Sequence, residues 1–373
     1  MGATFLLAAG GTGGHLFPAE ALAGELSRRG HVVELATDHR VADYGGDFPA
    51  RAVHIVPSAT FGDRSPLGML KSAVKLTRGY FAARALVKRL KPNAVIGFGG
   101  YPTVPPLSAA LSLRVPTMVH EANAVMGRAN RFLAGKVTAV ATGFSETGLM
   151  GTAGPKAVHT GNPVRQRVLD ARTPYQAPVP GGVFRLVVFG GSQGARVFSD
   201  LVPPAVALMA PDLRRRLEVV QQARPEDAER VAAAYAALGV TPSIAAFFGD
   251  LPARLAAAHL VVCRSGASTV AELGVLGRPS ILVPLPHALD NDQKTNGQRL
   301  EAAGGALLAE QAGLTPERLA ALLTDLMQAP DRLALMADAA AATGRADAVT
   351  RLANLAERVA AGSHSVISRT TTP

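Results

Sequence analysis

Two apolar runs, each breaking into a glycine cluster and then into helical sequence, constrain this chain more than any other feature. The first is TFLLAAGGTGGHLFPA at residues 4–19, and the second is VFRLVVFGGSQGARVF at residues 183–198. A strand that feeds a tight glycine turn and a helix opens a doubly wound α/β domain. Its recurrence predicts two similar domains, with ligands at the carboxyl ends of the strands and in the cleft between them. The 373 residues are enough to bury two cores.

The rest of the chain fits that plan. In the first half, HVVELATD, HIVPSA, NAVIGFGG, PTMVHEANA and KVTAVAT read as further strands. A helix is expected from Phe17 to Arg29, ended by Gly30, and a basic helical region over residues 66–90, with Gly79 a candidate break into two helices. Short apolar runs separated by helical patterns indicate a parallel sheet covered by helices. Around residues 162–183 the pattern lapses into a proline-rich stretch, read as the inter-domain connection. Strands then follow at RRLEVVQQ, SIAAFFG, HLVVCRSG, SILVPL and GGALLAE, with helices starting near Pro225, Leu251, Ala267 and Asp290 and helical sequence from Pro316 to Gly362. The expected domains are 1–163 and 164–362, with the last helix able to return to the first domain and 363–373 a flexible tail.

The single cysteine, Cys263, excludes an internal disulfide and fits a reducing compartment. The N-terminal apolar run has no basic segment before it and reads as a strand, not a signal peptide; no stretch is long enough to span a bilayer. Net charge is +10, and it is unevenly placed: residues 1–165 hold 18 Lys/Arg against 9 Asp/Glu, while the remainder is almost balanced. Between Asp63 and Glu121 there is no acidic residue. Such a field attracts polyanions or an anionic bilayer. The few aromatics are not interleaved with the basic residues as a base-stacking platform would need, which argues against nucleic acid.

GGTGGH fails as a dinucleotide fingerprint, because Leu16 stands where the third glycine belongs, and it lacks the Lys-Ser/Thr of a P-loop. What remains is backbone that can approach a ligand, with His15 beside a helix start where a ring can serve as a neutral base; a plain tight turn is the alternative. FGGSQGA is the cleaner anion site, with Ser192, Gln193 and Gly194 at a helix start suited to a phosphate or diphosphate. Arg165 is a candidate partner for the same phosphate, against a merely solvated linker arginine. Glu272 lies in a helix of small residues and could accept sugar hydroxyls or simply face solvent. The set Asp290, Asn291, Asp292, Gln293 and Asn296 could read a sugar; as a metal site His287, Asp290 and Asp292 lack a convincing fourth ligand, and the aspartates suit helix capping. His120, Glu121, Asn123 and Asn130 follow a buried strand and imply a polar purpose there. In 66–90, Leu67, Leu70, Lys71, Val74, Lys75, Arg78 and Phe81 form an amphipathic basic surface suited to anionic lipid, against a solvated helix face.

Taken together, GGTGGH, FGGYPTVPPLSAA, HEANAVMGRANR, TGNPVR, GGSQGA, CRSGASTVAE and DNDQKTN resemble, in order and spacing, the MurG family of bacterial glycosyltransferases. The resemblance covers nearly the whole chain. It implies the GT-B arrangement of two Rossmann-like domains and transfer of N-acetylglucosamine from UDP-GlcNAc to the MurNAc 4-hydroxyl of undecaprenyl-diphosphoryl-MurNAc-pentapeptide (lipid I), giving lipid II. It also implies a donor site of Asn123, Arg165, Ser192, Gln193, Gly194, the backbone near Phe248, Ala267, Glu272, Asp292 and Gln293. Thr12, Gly13, Gly14, His15 and Asn130 would face the acceptor, with His15 the catalytic base. No tightly bound metal or other cofactor is implied. The protein would rest peripherally on the cytoplasmic leaflet, on anionic lipids and beside other cell-wall synthesis or division proteins. Two positions depart from the family pattern: Ala122 stands where a glutamine is usual, and Asp292 where His or Gln is frequent. Competing readings are a UDP-GlcNAc 2-epimerase, a different glycosyltransferase, or a basic nucleic-acid-binding protein.

Overall fold

The computed structural model describes residues 2–10, 13–39, 48–58, 65–191 and 194–362. Thr12, Ser192, Gln193 and the expected tail at 363–373 lie outside the described residues, as do the side chains of Leu67 and Leu70. The chain divides into two compact units, one comprising Met1–Arg165 together with a segment starting at Ala346, the other Gln166–Arg345.

In the first unit the described strands are β1 (Thr4–Ala8), β2 (Val32–Thr37), β3 (Ala52–Ile55), β4 (Ala94–Gly97), β5 (Thr117–Glu121), β6 (Ala139–Thr142) and β7 (Ala157–His159). They pair in parallel in the order β3-β2-β1-β4-β5-β6-β7. β7, the three residues AVH, has no counterpart in the sequence reading. Helices α1 (Gly13–Arg28), α2 (Pro66–Leu90), α3 (Val104–Ser112) and α4 (Arg128–Ala134) cover the sheet. Successive residues of β1 point to opposite faces, so the run is apolar throughout and both faces are buried. Phe5 and Leu7 join Leu16, Leu22 and Leu26 of α1 in one core. Leu6 and Ala8 join Val87 of α2, Leu107 of α3 and Leu133 of α4 in another. Each leucine buried in this way contributes about 1.5–3 kcal/mol.

α2 is one continuous helix. Ser65 caps it by accepting from Gly68 N at 3.0 Å, Pro66 opens it, and Lys91 closes it in the left-handed region. Gly79 therefore does not break it. A Cβ there would lie 1.9 Å from the Pro57 carbonyl oxygen, so the glycine allows a close approach of backbone to helix.

The second unit repeats the design. Its described strands are β8 (Phe184–Phe189), β9 (Leu217–Gln222), β10 (Ser243–Ala245), β11 (Leu260–Cys263), β12 (Ser280–Leu282) and β13 (Ala306–Leu308), parallel in the order β10-β9-β8-β11-β12-β13. Its helices are α5 (Gln166–Asp170), α6 (Arg196–Leu208), α7 (Pro211–Arg214), α8 (Pro225–Ala236), α9 (Leu251–Ala257), α10 (Ala267–Leu276), α11 (Asp292–Ala302), α12 (Pro316–Met327) and α13 (Pro330–Thr343). The proline-rich connection is held by a fully buried arginine: Arg278 donates to the Thr173 carbonyl at 3.0 Å and to carbonyls of Leu276 and Gly277.

The final described helix, α14 (Ala348–Ala360), belongs to the first unit. Leu352, Leu355, Ala356 and Val359 complete the core beneath α1. Polar contacts fix its register. Arg29 donates to Asn354 at 2.7 Å and Glu357 at 2.8 Å. His31 accepts from Ala3 N through Nδ1 at 3.0 Å, which leaves its Nε2 to donate to Glu357 at 2.9 Å.

Candidate functional site

In the first sheet the strand order reverses between β1 and β4, the switch point at which open α/β sheets bind ligands. Gly10 follows β1 and Gly13 opens α1 at that point. His15 lies in the first turn of α1 and is half-buried. Its ring rests on glycine backbone: a Cβ added at Gly10, Gly99 or Gly100 would come within 3.2–3.3 Å of imidazole atoms. Gly99 and Gly100 have φ of 91° and 74°. Thr103 secures this second loop by donating to the Gly99 carbonyl at 2.6 Å and the Ala8 carbonyl at 3.2 Å.

The end of β5 approaches from the other side. Glu121 is buried, and its Oε1 accepts from the Asn123 N at 2.9 Å and Nδ2 at 3.2 Å. Its Oε2 accepts from Gly127 N at 2.9 Å and Asn130 Nδ2 at 2.8 Å. Burial pushes the Glu121 carboxyl above its ordinary range, and these hydrogen bonds pull against that shift. Asn130 also donates to the His120 carbonyl at 3.1 Å, and its Nδ2 lies 3.5 Å from where a Gly99 Cβ would sit. Asn130 is thus buried beside the imidazole as a brace. Glu121 is the hub of the loop that carries Asn123, a role no local sequence pattern signals. Asn123 itself is half-buried, and Ala122 is buried. Arg165 is no solvated linker residue: it is 8% exposed, with its guanidinium 3.7 Å from the ring centre of Phe17 in α1.

The second unit has its own switch point, between β8 and β11. Gly190 and Gly191 follow β8, and Gly194 precedes α6, with φ of 88° at Gly191 and 66° at Gly194. After β11, Arg264 turns inward and donates to the carbonyls of Val283 and Pro284 and to Gln311 Oε1. Ala267 opens α10, and Glu272 within that helix is buried at 6% exposure, so it is not a solvated surface glutamate. Asn296 is also buried and donates to the Ser265 carbonyl at 3.3 Å. Asp292 accepts from Gln293 N at 2.7 Å at the start of α11, and burial raises its carboxyl. Gln293 Oε1 accepts from Leu285 N at 3.0 Å. Between them His287, Asp290 and Asn291 all have positive φ, a strained loop for non-glycine residues. Phe248 is half-buried under the Arg254 guanidinium, 4.6 Å from its ring centre. Among the described residues no group of three or more His, Cys, Asp or Glu is placed to hold a metal ion.

On α2, Lys71, Val74, Lys75 and Arg78 are exposed and with Pro57 line a groove of about 580 Å³. Phe81 is 63% exposed on the same helix. Among the described residues no helix is long and apolar enough to cross a membrane.

Residues 5–142 match the glycosyltransferase family 28 N-terminal domain, and residues 185–352 match the glycosyltransferase family 28 C-terminal domain. The chain belongs to glycosyltransferase family 28. Within family 28 it is 57% identical over 358 residues to the UDP-N-acetylglucosamine--N-acetylmuramyl-(pentapeptide) pyrophosphoryl-undecaprenol N-acetylglucosamine transferase of Sinorhizobium fredii, covering 96% of this chain and 95% of that one. It is 57% identical over 365 residues to the protein of the same name in Chelativorans, covering 97% and 96%. The crystal structure of Acinetobacter baumannii MurG superposes with a TM-score of 0.76 at 28% identity, covering 95% and 99%. These relatives bear out the resemblance read from the motifs and the GT-B architecture of this family 28 chain. A putative UDP-N-acetylglucosamine 2-epimerase from Listeria monocytogenes also superposes, with a TM-score of 0.68 at 15% identity, which shows the shared fold alone.

Proposed function

We infer that the chain transfers N-acetylglucosamine from UDP-GlcNAc to lipid I and forms lipid II in peptidoglycan synthesis. One observation carries the reading: 57% identity to named transferases of that reaction extends over 96% of the chain. The epimerase alternative has only the fold in its favour, and the basic surface has no use in that reaction.

In this reading the MurNAc 4-hydroxyl attacks the anomeric carbon directly and inverts it. His15 takes the proton; a half-buried ring fixed against Gly10, Gly99 and Gly100 supports that role. Thr12, Gly13, Gly14 and Asn130 serve the acceptor side, Asn130 by bracing the loop. Charge develops on the departing diphosphate, where Ser192, Gln193 and Gly194, which precede α6 in the sequence, can stabilise it. Glu272 serves the ribose hydroxyls, Phe248 backbone the uracil, and Ala267, Asp292 and Gln293 the sugar. Arg165 and Asn123 enter as donor contacts on the family resemblance. UDP-GlcNAc is a substrate, and no tightly bound cofactor enters the reading. The α2 surface, with Leu67 and Leu70 at its start, rests on anionic lipid of the cytoplasmic leaflet, beside partners of wall synthesis and division.

Acceptor-dependent chemistry separates this reading from its rivals. UDP should be released from UDP-GlcNAc only when lipid I or a short-chain analogue is added. Folded protein that binds UDP-GlcNAc but releases no UDP with acceptor would overturn it. His15→Ala should keep donor binding while turnover falls by about 10²–10⁴-fold, the usual range for a lost general base; unchanged turnover would remove His15 from the role.

A further inference from the structure

The side chain of Gln222, at the carboxyl end of β9, makes three hydrogen bonds to backbone of two separate loops. Its Oε1 accepts from Gly190 N at 2.9 Å, and its Nε2 donates to the Gly191 carbonyl at 3.0 Å and the Ala246 carbonyl at 3.0 Å. Gln222 itself is buried, at 7% exposure. One loop is the glycine turn leaving β8, which Gly194 N closes further by donating to the Gly191 carbonyl at 3.1 Å. The other leaves β10 and leads within two residues to Phe248.

We propose that Gln222 is a positioning residue for the nucleotide donor, holding the diphosphate loop and the uracil-reading segment in one fixed relation. This rests on the donor assignment above. Gly190 has no side chain of its own to hold it: a Cβ there would lie 2.2 Å from Ala195 N, so no other residue fits at that turn. Gly191 has φ of 88°, and its carbonyl accepts from Gln222 as well as from Gly194 N, so the side chain ties an already closed turn to β9. A single amide supplies both an acceptor and two donated bonds, which neither a carboxylate nor an apolar side chain can do. Fixing both loops before the ligand arrives removes an ordering cost from binding. UDP, which uses both loops, gains more from this than uridine, which uses one.

The neighbouring glutamine provides the contrast. Gln221 donates to the Phe198 carbonyl at 3.1 Å and accepts from the Tyr235 hydroxyl at 2.6 Å, entirely inside the core. Its loss should lower stability and leave the donor alone.

The test measures uridine and UDP affinity by calorimetry, with donor KM and kcat, in the full chain. Gln222→Met keeps the volume and deletes all three bonds; Gln222→Glu keeps the bond from Gly190 N, loses the donated pair and places negative charge beside the diphosphate. Both variants should shrink the ratio of UDP to uridine affinity by about tenfold and raise donor KM, Glu more than Met, with kcat changed less than KM. Gln221→Met should lower the Tm and leave that ratio intact. A Gln222→Met or Gln222→Glu protein with the wild-type ratio and KM overturns the positioning role while leaving the donor reading intact. A wild-type chain that bound no UDP would overturn the donor reading and this inference together.

Discussion

Gly99 and Gly100 carry no chemistry, yet the imidazole of His15 lies where it does because they have no side chains. Gly99→Ala would put a methyl 3.2 Å from the ring at a φ of 91°, costing about 1–2 kcal/mol in backbone strain alone. Turnover should fall at least about tenfold, with UDP affinity unaltered in calorimetry. His120 offers a test of another kind. Full burial pushes its ring down to about 4 from 6.5. Below pH 6.5 the unfolded chain takes up a proton that the folded chain refuses until about pH 4. Stability from this residue is therefore complete above pH 6.5 and is lost as pH falls to 4, by a few kcal/mol at most. Glu121, raised by burial, works in the opposite direction. The measurement is thus the difference in urea stability between wild type and His120→Gln across that window, and the wild-type curve should be the steeper. At this scale the sequence shows which residues are unusual but not what they touch. His15 was legible because it directly follows a glycine loop. The tasks of Glu121, Asn130 and Asn296 were not, because each depends on backbone brought close only by the sheet.

Elements were read more surely than side chains. Period-2 burial on both faces makes continuous apolar runs, so β1, β4, β8 and β11 stand out in the sequence. β7 did not, because three residues carry too little pattern. Gly79 misled for an identifiable reason: glycine weakens a helix, but it also permits the closest packing, and only the Pro57 backbone beside it reveals which applies. Gly79→Val should accordingly lower the Tm well beyond the roughly 1 kcal/mol scale of helix propensity, or prevent folding. The basic surface of α2 is testable separately. Replacing Lys71, Lys75 and Arg78 by glutamine should weaken binding to anionic vesicles by about a hundredfold, at about 1 kcal/mol per charge. Transfer to a soluble acceptor analogue should be spared. Vesicle binding equal to wild type would take the lipid role from this helix.

At the scale of the whole molecule, the two glycine loops mark two sheets wound in the same order, each with its switch point beside the first strand of its unit. That much follows from strand, loop and helix periodicity. The register of α14 against α1 was not legible in the sequence, since Arg29, His31 and Glu357 meet only in the fold. A chain ended after Arg345 should lose the cooperative melting of the first unit and all transfer activity, while still binding UDP. That same helix also sets a timetable. As the protein leaves the ribosome, the β1–β7 sheet is complete long before the helix that covers Phe5, Leu7 and Leu26 has been made. The apolar face beneath α1 must wait through synthesis of the entire second unit, an interval in which chaperones or misassembly compete for it.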